Sequence, residues 1–222
     1  MSTPLNPGWR IDPVGDRCLM IEFGRQVDPV INGRVHAFAE HLIAHPIAGV
    51  TDVVPAFTTV AVHYRPEVFR GDASQELPHR RLRAQLEGIL SGDVAVSDSP
   101  AREVEIPVCY GGDFGPDLDE VAKACGLSVE EVIARHAASA HRVYMLGFAP
   151  GFPYMGGLDP RLAMPRRTTP RLRIAPGTVA IAREQSAVYT LETPGGWNLI
   201  GRTPLALFTP LAARPTLLGP GD

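Results

Sequence analysis

Between His141 and Arg202 the chain collects most of its side chains suited to holding a small molecule. "RLAMPRRTTPRLRI" (161–174) carries Arg161, Arg166, Arg167, Arg171 and Arg173. It is flanked by two uncharged loops, "GFAPGFPYMGGL" (147–158) and "TPGGW" (193–197). Arginine forks onto carboxylate or phosphate, glycine lets backbone N–H groups come close to a ligand, and aromatic rings supply a dry wall. Together these residue types describe a pocket for a small anion. The same residues also suit barrel corners, core aromatics and a solvated basic face, and composition does not separate the two readings.

Other constellations point away from chemistry. The helix–Gly–helix pattern at 117–138 resembles a DNA reader, but "SVEEVIARHAAS" is too acidic for a recognition helix and reads as a helical hairpin packed on a barrel. His41 and His45 have the i,i+4 spacing of a metal pair without a further ligand, and with His36 they read as solvated. Asp113, Asp117, Asp119 and Glu120 read as caps and dipole partners, with Asp117 and Ser128 as N-caps and Glu120 and Glu131 completing capping boxes. There is no GxxxxGK[ST] and no GxSxG, so neither a P-loop nor a nucleophile elbow is present.

The elements that must position these residues fall into two blocks. With 222 residues, 45% hydrophobic and 20% charged, and a formal charge of −3, the chain reads as globular, with no general pull toward nucleic acid or membrane. Cys18, Cys109 and Cys125 have no CxxC spacing, the N-terminus has no export-signal pattern and no apolar run is long enough to span a bilayer. A cytoplasmic protein with reduced thiols is expected. A strand at 17–24 precedes a helix at 29–46 with Val35, Phe38, Ala39, Leu42 and Ile43 as its apolar stripe. A hairpin over 49–66 and a helix at 76–90, with Leu82, Leu86, Ile89 and Leu90 inward, follow. "REVEIPVCY" (102–110) either closes this β-α-β-β-α unit or opens the next, and 91–101 reads as a linker. After His141, short strands broken by Gly and Pro indicate a barrel or sandwich.

"LGFAPGFPYMGGL", "PRRTTPR", "APGTVAIA" and "TPGGWNLIGRTPLALF", with "IPVCYGGDFGPDLDEVA" upstream, resemble the family of 5-oxoprolinase B subunits, also described as KipI-like proteins or subunit 1 of allophanate hydrolase. The same module occurs in the carboxyltransferase part of urea carboxylase. The resemblance implies an α+β protein, with a ferredoxin-like two-layer domain over 1–95 and a cyclophilin-like β-barrel over 100–222. It implies one component of an ATP-dependent complex that opens 5-oxoproline to L-glutamate, inactive alone. Its partners would be the C subunit, which holds a related barrel and shares the site, and the A subunit. ATP would be a cosubstrate, accompanied by Mg2+, with no metal site on this chain. Within that frame Arg166, Arg167 and Arg171 are the candidate phosphate or carboxylate contacts. Gly151, Gly195 and Gly196 are candidates for close backbone approach, and Phe148, Phe152, Tyr154 and Trp197 for the wall. His141 is the candidate acid or base, with a structural histidine as the alternative. The resemblance also leaves open a KipI-like inhibitor of a sensor histidine kinase, or a subunit of a urea carboxylase or allophanate hydrolase system. Family members usually continue past "LLGPGD" (217–222) with one more short strand, so this sequence is expected to lack a terminal strand that would help close the barrel.

Overall fold

Residues 8–70, 77–92 and 102–222 are described by the computed structural model. Residues 1–7, at the head of the N-terminal segment, and 93–101, most of the expected linker, lie outside the described residues, as do 71–76. The chain divides into two compact units, residues 1–100 and 101–222.

The first unit is an antiparallel sheet under two helices. Its elements are β1 (Arg10–Pro13), β2 (Cys18–Glu22), α1 (Pro29–Ala44), β3 (Val50–Pro55), β4 (Thr59–Tyr64) and α2 (Pro78–Leu90). The strands lie in the order β1-β2-β4-β3. Alternation puts Ile11, Leu19, Ile21, Val60 and Val62 on one face, where they meet Val35, Phe38 and Leu42 of α1 and Leu82 and Leu86 of α2. Asp28 caps α1 by accepting from the N–H groups of Val30 (2.8 Å) and Ile31 (3.1 Å), and Pro29 occupies its first turn. Ile43 departs from the expected stripe and is 65% exposed, because a helix turns it about 100° beyond Leu42. The place beside β2 is taken by β1, not by residues 102–110. Its four residues include one inward apolar side chain, Ile11, and a proline suited to an edge, which is too little pattern to read as a strand.

The second unit contains β5 (Cys109–Tyr110), α3 (Leu118–Cys125), α4 (Val129–Ala138), β6 (Arg142–Leu146), β7 (Pro153–Gly156), β8 (Arg171–Ile174), β9 (Thr178–Ala182), β10 (Gln185–Val188), β11 (Thr193–Gly195) and β12 (Asn198–Arg202). An antiparallel six-stranded sheet runs β5-β12-β9-β10-β7-β6, and β8 pairs with β11 as a separate ribbon. The expected closed barrel is therefore corrected to an open ladder plus a ribbon among the described residues. Tyr110 and Cys109 pair with Gly201 and Arg202 of β12, so this segment belongs to the second unit.

Period-2 alternation divides the sheet into two buried faces. Val143, Met155, Val179, Ile181, Val188 and Ile200 pack with Leu118, Val121 and Val132 of the helices. The intervening residues Ala180, Ala182, Ala187 and Leu199 join Phe152, Tyr189 and Trp197 in a second cluster. Three alanines on that face leave the volume that three large rings occupy. Between α3 and α4, Gly126 takes φ +65° and its N–H donates to the carbonyls of Ala122 and Lys123. Ser128 and Glu131 then form the expected capping box.

Candidate functional site

Phe152 is the centre of the aromatic face. It is 2% exposed, and its ring lies edge-on to Phe148 (5.3 Å), Tyr154 (5.0 Å), Tyr189 (5.2 Å) and Trp197 (6.2 Å). Such edge-to-face contacts contribute about 0.5–1.5 kcal/mol each beyond burial. Phe152 and Tyr189 are thus core, while Phe148 stands at the rim, 61% exposed. The Ala149 N–H donates to the Gly147 carbonyl (2.8 Å), which closes a three-residue turn centred on Phe148 at φ +69°. This is the rare, strained γ-turn, and a side chain there costs on the order of 1 kcal/mol. The loop is pinned by Gly147 N–H to the Phe152 carbonyl (3.1 Å), Phe152 N–H to the Ala149 carbonyl (3.0 Å) and Thr190 Oγ1 to the Pro150 carbonyl (2.7 Å).

The glycines do different jobs. Gly151 has φ +71°, and a Cβ there would lie 3.2 Å from Thr216 Cγ2. A Cβ on Gly195 would fall 2.1 Å from the Tyr189 hydroxyl, so its close approach is to the core and not to a ligand. Gly196 has room for a Cβ, with its nearest neighbour at 3.6 Å, and accepts from the Arg167 N–H at 2.7 Å.

The arginines are not equivalent. Asp117, expected as an N-cap, makes no cap hydrogen bond and is buried instead among cations. Its carboxylate accepts two bonds from Arg171 (2.7 and 2.9 Å), one from Arg167 Nη1 (3.0 Å) and one from the Leu199 N–H (2.7 Å). Arg167 also donates to Glu120 Oε2 at 2.9 Å, which replaces the capping role expected of Glu120. Two carboxylates therefore neutralise Arg167 and Arg171, and the pair is already committed as an ion-pair network. Arg166 is exposed, has no carboxylate partner among the described residues and lies 5.9 Å over the Trp197 ring. Burial pushes the Tyr154 phenol up and the charge of Arg166 pulls it back; burial takes Tyr189 to about 12, again against Arg166.

His141 is not part of this group. It precedes β6, whereas Phe148 follows its far end, a separation of roughly 20 Å along an extended strand. Its Nε2 faces the His136 carbonyl at 3.1 Å, under the helix-covered face of the sheet. There His136 Nδ1 meets the Tyr110 hydroxyl (2.7 Å) and Nε2 meets Ser186 Oγ (2.9 Å). Burial, with a smaller contribution from His141, takes the His136 pKa down to about 3, and burial lowers that of His141. Ser186 is fully buried, so the network is a satisfied core element and not an accessible nucleophile and base. A shallow groove beside α4 is lined by Glu131, Arg135, Ser139 and Asp159, among others. Its polar groups engage one another, as in the 2.7 Å pair of Arg135 with Asp159.

Sequence reasoning missed Asp117 as a hub, Tyr189 as a core ring behind the aromatic face and the Tyr110–His136–Ser186 network. Their partners lie 26 to 82 residues away, so no local motif announces them. Elsewhere His41 and His45 stack ring on ring at 4.5 Å, and no group of three metal-ligating side chains occurs among the described residues. Among the described residues no helix is long and apolar enough to cross a membrane, and all three cysteines are free.

The two units together match the family of carboxyltransferase-domain proteins. The chain belongs to this family: the model for the carboxyltransferase domain, subdomain C and D, matches residues 9–218. Within it, the chain is 47% identical over 219 residues to the 5-oxoprolinase B subunit of Bacillus subtilis, covering 96% of this chain and 90% of that protein. It is 39% identical to the 5-oxoprolinase B subunit of Escherichia coli O157:H7, covering 94% and 91%. The crystal structure of TTHA0988 superposes with a TM-score of 0.78 at 40% identity over 93% of this chain, which spans 38% of that longer chain. Urea amidolyase of K. lactis shares the fold at 19% identity and a TM-score of 0.74; this chain matches over its whole length and spans 15% of that protein.

Proposed function

We propose that this chain is the B subunit of an ATP-dependent 5-oxoprolinase, a hydrolase complex that opens 5-oxoproline to L-glutamate. The observation that carries the reading is 47% identity over 96% of the chain to a protein of that name. A relative that is one subunit of an enzyme supports an assembly with further subunits. We assign the A and C subunits of the same complex as the partners, with this chain inactive alone. In this reading the first unit is ferredoxin-like, with β1 filling the fourth strand position from the N-terminal side. The second is cyclophilin-like in its strand complement, with its ladder open.

Ring opening adds water across the lactam C–N bond, and the lactam carbonyl is a poor electrophile until its oxygen is activated. ATP, with Mg2+, would supply that activation by phosphorylation. The residues of this chain do not by themselves fit a triphosphate. Arg167 and Arg171 are neutralised by Asp117 and Glu120 and Arg173 by Glu192, which leaves Arg166 as the uncompensated cation beside the aromatic rings. What the chain offers is an aromatic surface, with Phe148 and Tyr154 at its accessible side and buried Phe152 and Trp197 behind them, and an arginine at its edge. The test is ATP-dependent glutamate release from 5-oxoproline by this chain on its own, by the A and C subunits without it, and by all three. Activity confined to the full mixture is expected. No activity in any mixture, with the two partners shown to be folded and bound, would sink the proposal.

A further inference from the structure

We infer that Arg166, laid across Trp197, is the contact for a single carboxylate on the ligand and sets the specificity of the aromatic face for a small monocarboxylate. The inference rests on the reading above and narrows it to one residue and one ligand group.

The backbone of Arg166 is held on both sides. Asn198 Nδ2, buried at 3% exposure, donates to the Pro165 carbonyl at 2.9 Å, and the Arg167 N–H donates to the Gly196 carbonyl at 2.7 Å. A side chain from so fixed a position reaches a defined place and loses less freedom on binding than one from a mobile loop. Its guanidinium carbon lies 5.9 Å over the Trp197 ring, a cation–π contact that does not consume the N–H donors of the fork.

Charge then sets the ligand class. Asp117 and Glu120 balance Arg167 and Arg171, Glu192 balances Arg173 and Arg161 lies by Cys125, so the surplus positive charge at the aromatic rings is that of Arg166. One planar fork beside apolar rings matches one planar carboxylate on a compact apolar body. It matches a polyphosphate poorly, since several negative charges would meet one cation and the nearby carboxylate of Glu120, which is exposed. Phe148 completes the arrangement: the exposed ring on a strained turn is held where it covers a ligand's apolar side instead of joining the core.

Trp197 reports on this contact directly. The chain has two tryptophans, Trp9 and Trp197, so the full-length Trp9→Phe variant emits from Trp197 alone. Its emission would be titrated with 5-oxoproline, with 2-pyrrolidinone, which is the same lactam without the carboxylate, with inorganic phosphate and with ATP. Saturable response to 5-oxoproline, at least tenfold weaker with 2-pyrrolidinone, is expected. In Arg166→Ala the response to 5-oxoproline should weaken by about tenfold or more, with Arg166→Lys in between. Unchanged thermal melting of both variants would show that the fold is intact, as their exposed position leads one to expect. Equal response to both lactams, an unaltered response in Arg166→Ala, or no response to any carboxylate would overturn the inference. Tighter binding of phosphate or ATP at Arg166 would overturn the ligand class. Glutamate release by the assembled complex is read separately, so a wrong contact residue and a wrong reaction give different results.

Discussion

His136 gives the second unit a stability that depends on pH in a way that can be worked out and checked. Its ring is 5% exposed, bonded through both nitrogens to Tyr110 and Ser186, and its pKa is taken from 6.5 down to about 3. Below pH 6.5 the unfolded chain takes up a proton at position 136 that the folded chain refuses. The stability contribution is therefore complete above about 6.5 and is lost as the pH falls towards 3. Each pH unit in that window removes about 1.4 kcal/mol, or about 2.7 kcal/mol between pH 6.5 and 4.5. His141, whose pKa is also lowered, acts in the same direction. The assay is urea unfolding at pH 8.0, 6.5, 5.5 and 4.5, on the natural chain and on His136→Gln, which keeps polar atoms but does not titrate. The variant starts lower, because its amide cannot reproduce both hydrogen bonds. What matters is the slope: the two stability curves should converge as the pH falls from 6.5, by about 2.7 kcal/mol at pH 4.5. Parallel curves over that range would show that His136 is protonated in the folded state, and the argument from burial would be wrong.

Three further outcomes follow from particular contacts. Asp117→Ala removes four hydrogen bonds, leaves Arg171 and the Leu199 N–H unpaired and leaves Arg167 with Glu120 alone; because both guanidiniums can turn to solvent, a loss of about 2–3 kcal/mol is expected in urea unfolding, at the low end for a broken buried pair. Gly195→Ala places a Cβ 2.1 Å from the Tyr189 hydroxyl and should cost more than about 2 kcal/mol, partly restored by adding Tyr189→Phe; Gly196→Ala should cost less than about 1 kcal/mol, and equal costs at the two positions would refute the geometry. At position 148 the left-handed backbone should make Phe148→Gly more stable than Phe148→Ala by about 1 kcal/mol in thermal melts, the reverse of the usual order for these residues, while activity of the assembled complex falls in both.

Much of the fold is legible wherever a side-chain pattern repeats locally. The alternation in "TTVAVHYRP" becomes β4, and the Ser128–Glu131 pair becomes a capping box because its partners are three residues apart. β1 is not legible, since one inward isoleucine in four residues makes no pattern. The candidate site is legible in its residue types and not in its charge balance. The local sequence of Asp117 and Glu120 fits helix caps, and only the folded chain brings them to Arg167 and Arg171, about fifty residues away. Gly195 and Gly196 are adjacent and identical in type, yet a Cβ on one would collide with the Tyr189 hydroxyl and a Cβ on the other would meet its neighbours at ordinary contact distance. For His141 proximity in sequence misleads, because an extended strand carries neighbours apart as fast as a chain can.

Asp117 also bears on how the protein is made. It lies near the start of the second unit, but its hydrogen-bond partners are at 167, 171 and 199. A nascent chain leaving the ribosome exposes this carboxylate long before Leu199 has been synthesised, and until then the start of α3 has no β12 to lie against. The first unit has no such wait, because its core residues all lie between Trp9 and Leu90. Synthesis therefore delivers one unit able to fold at once and a second that must stay soluble, and within reach of chaperones, until nearly its last strand has emerged.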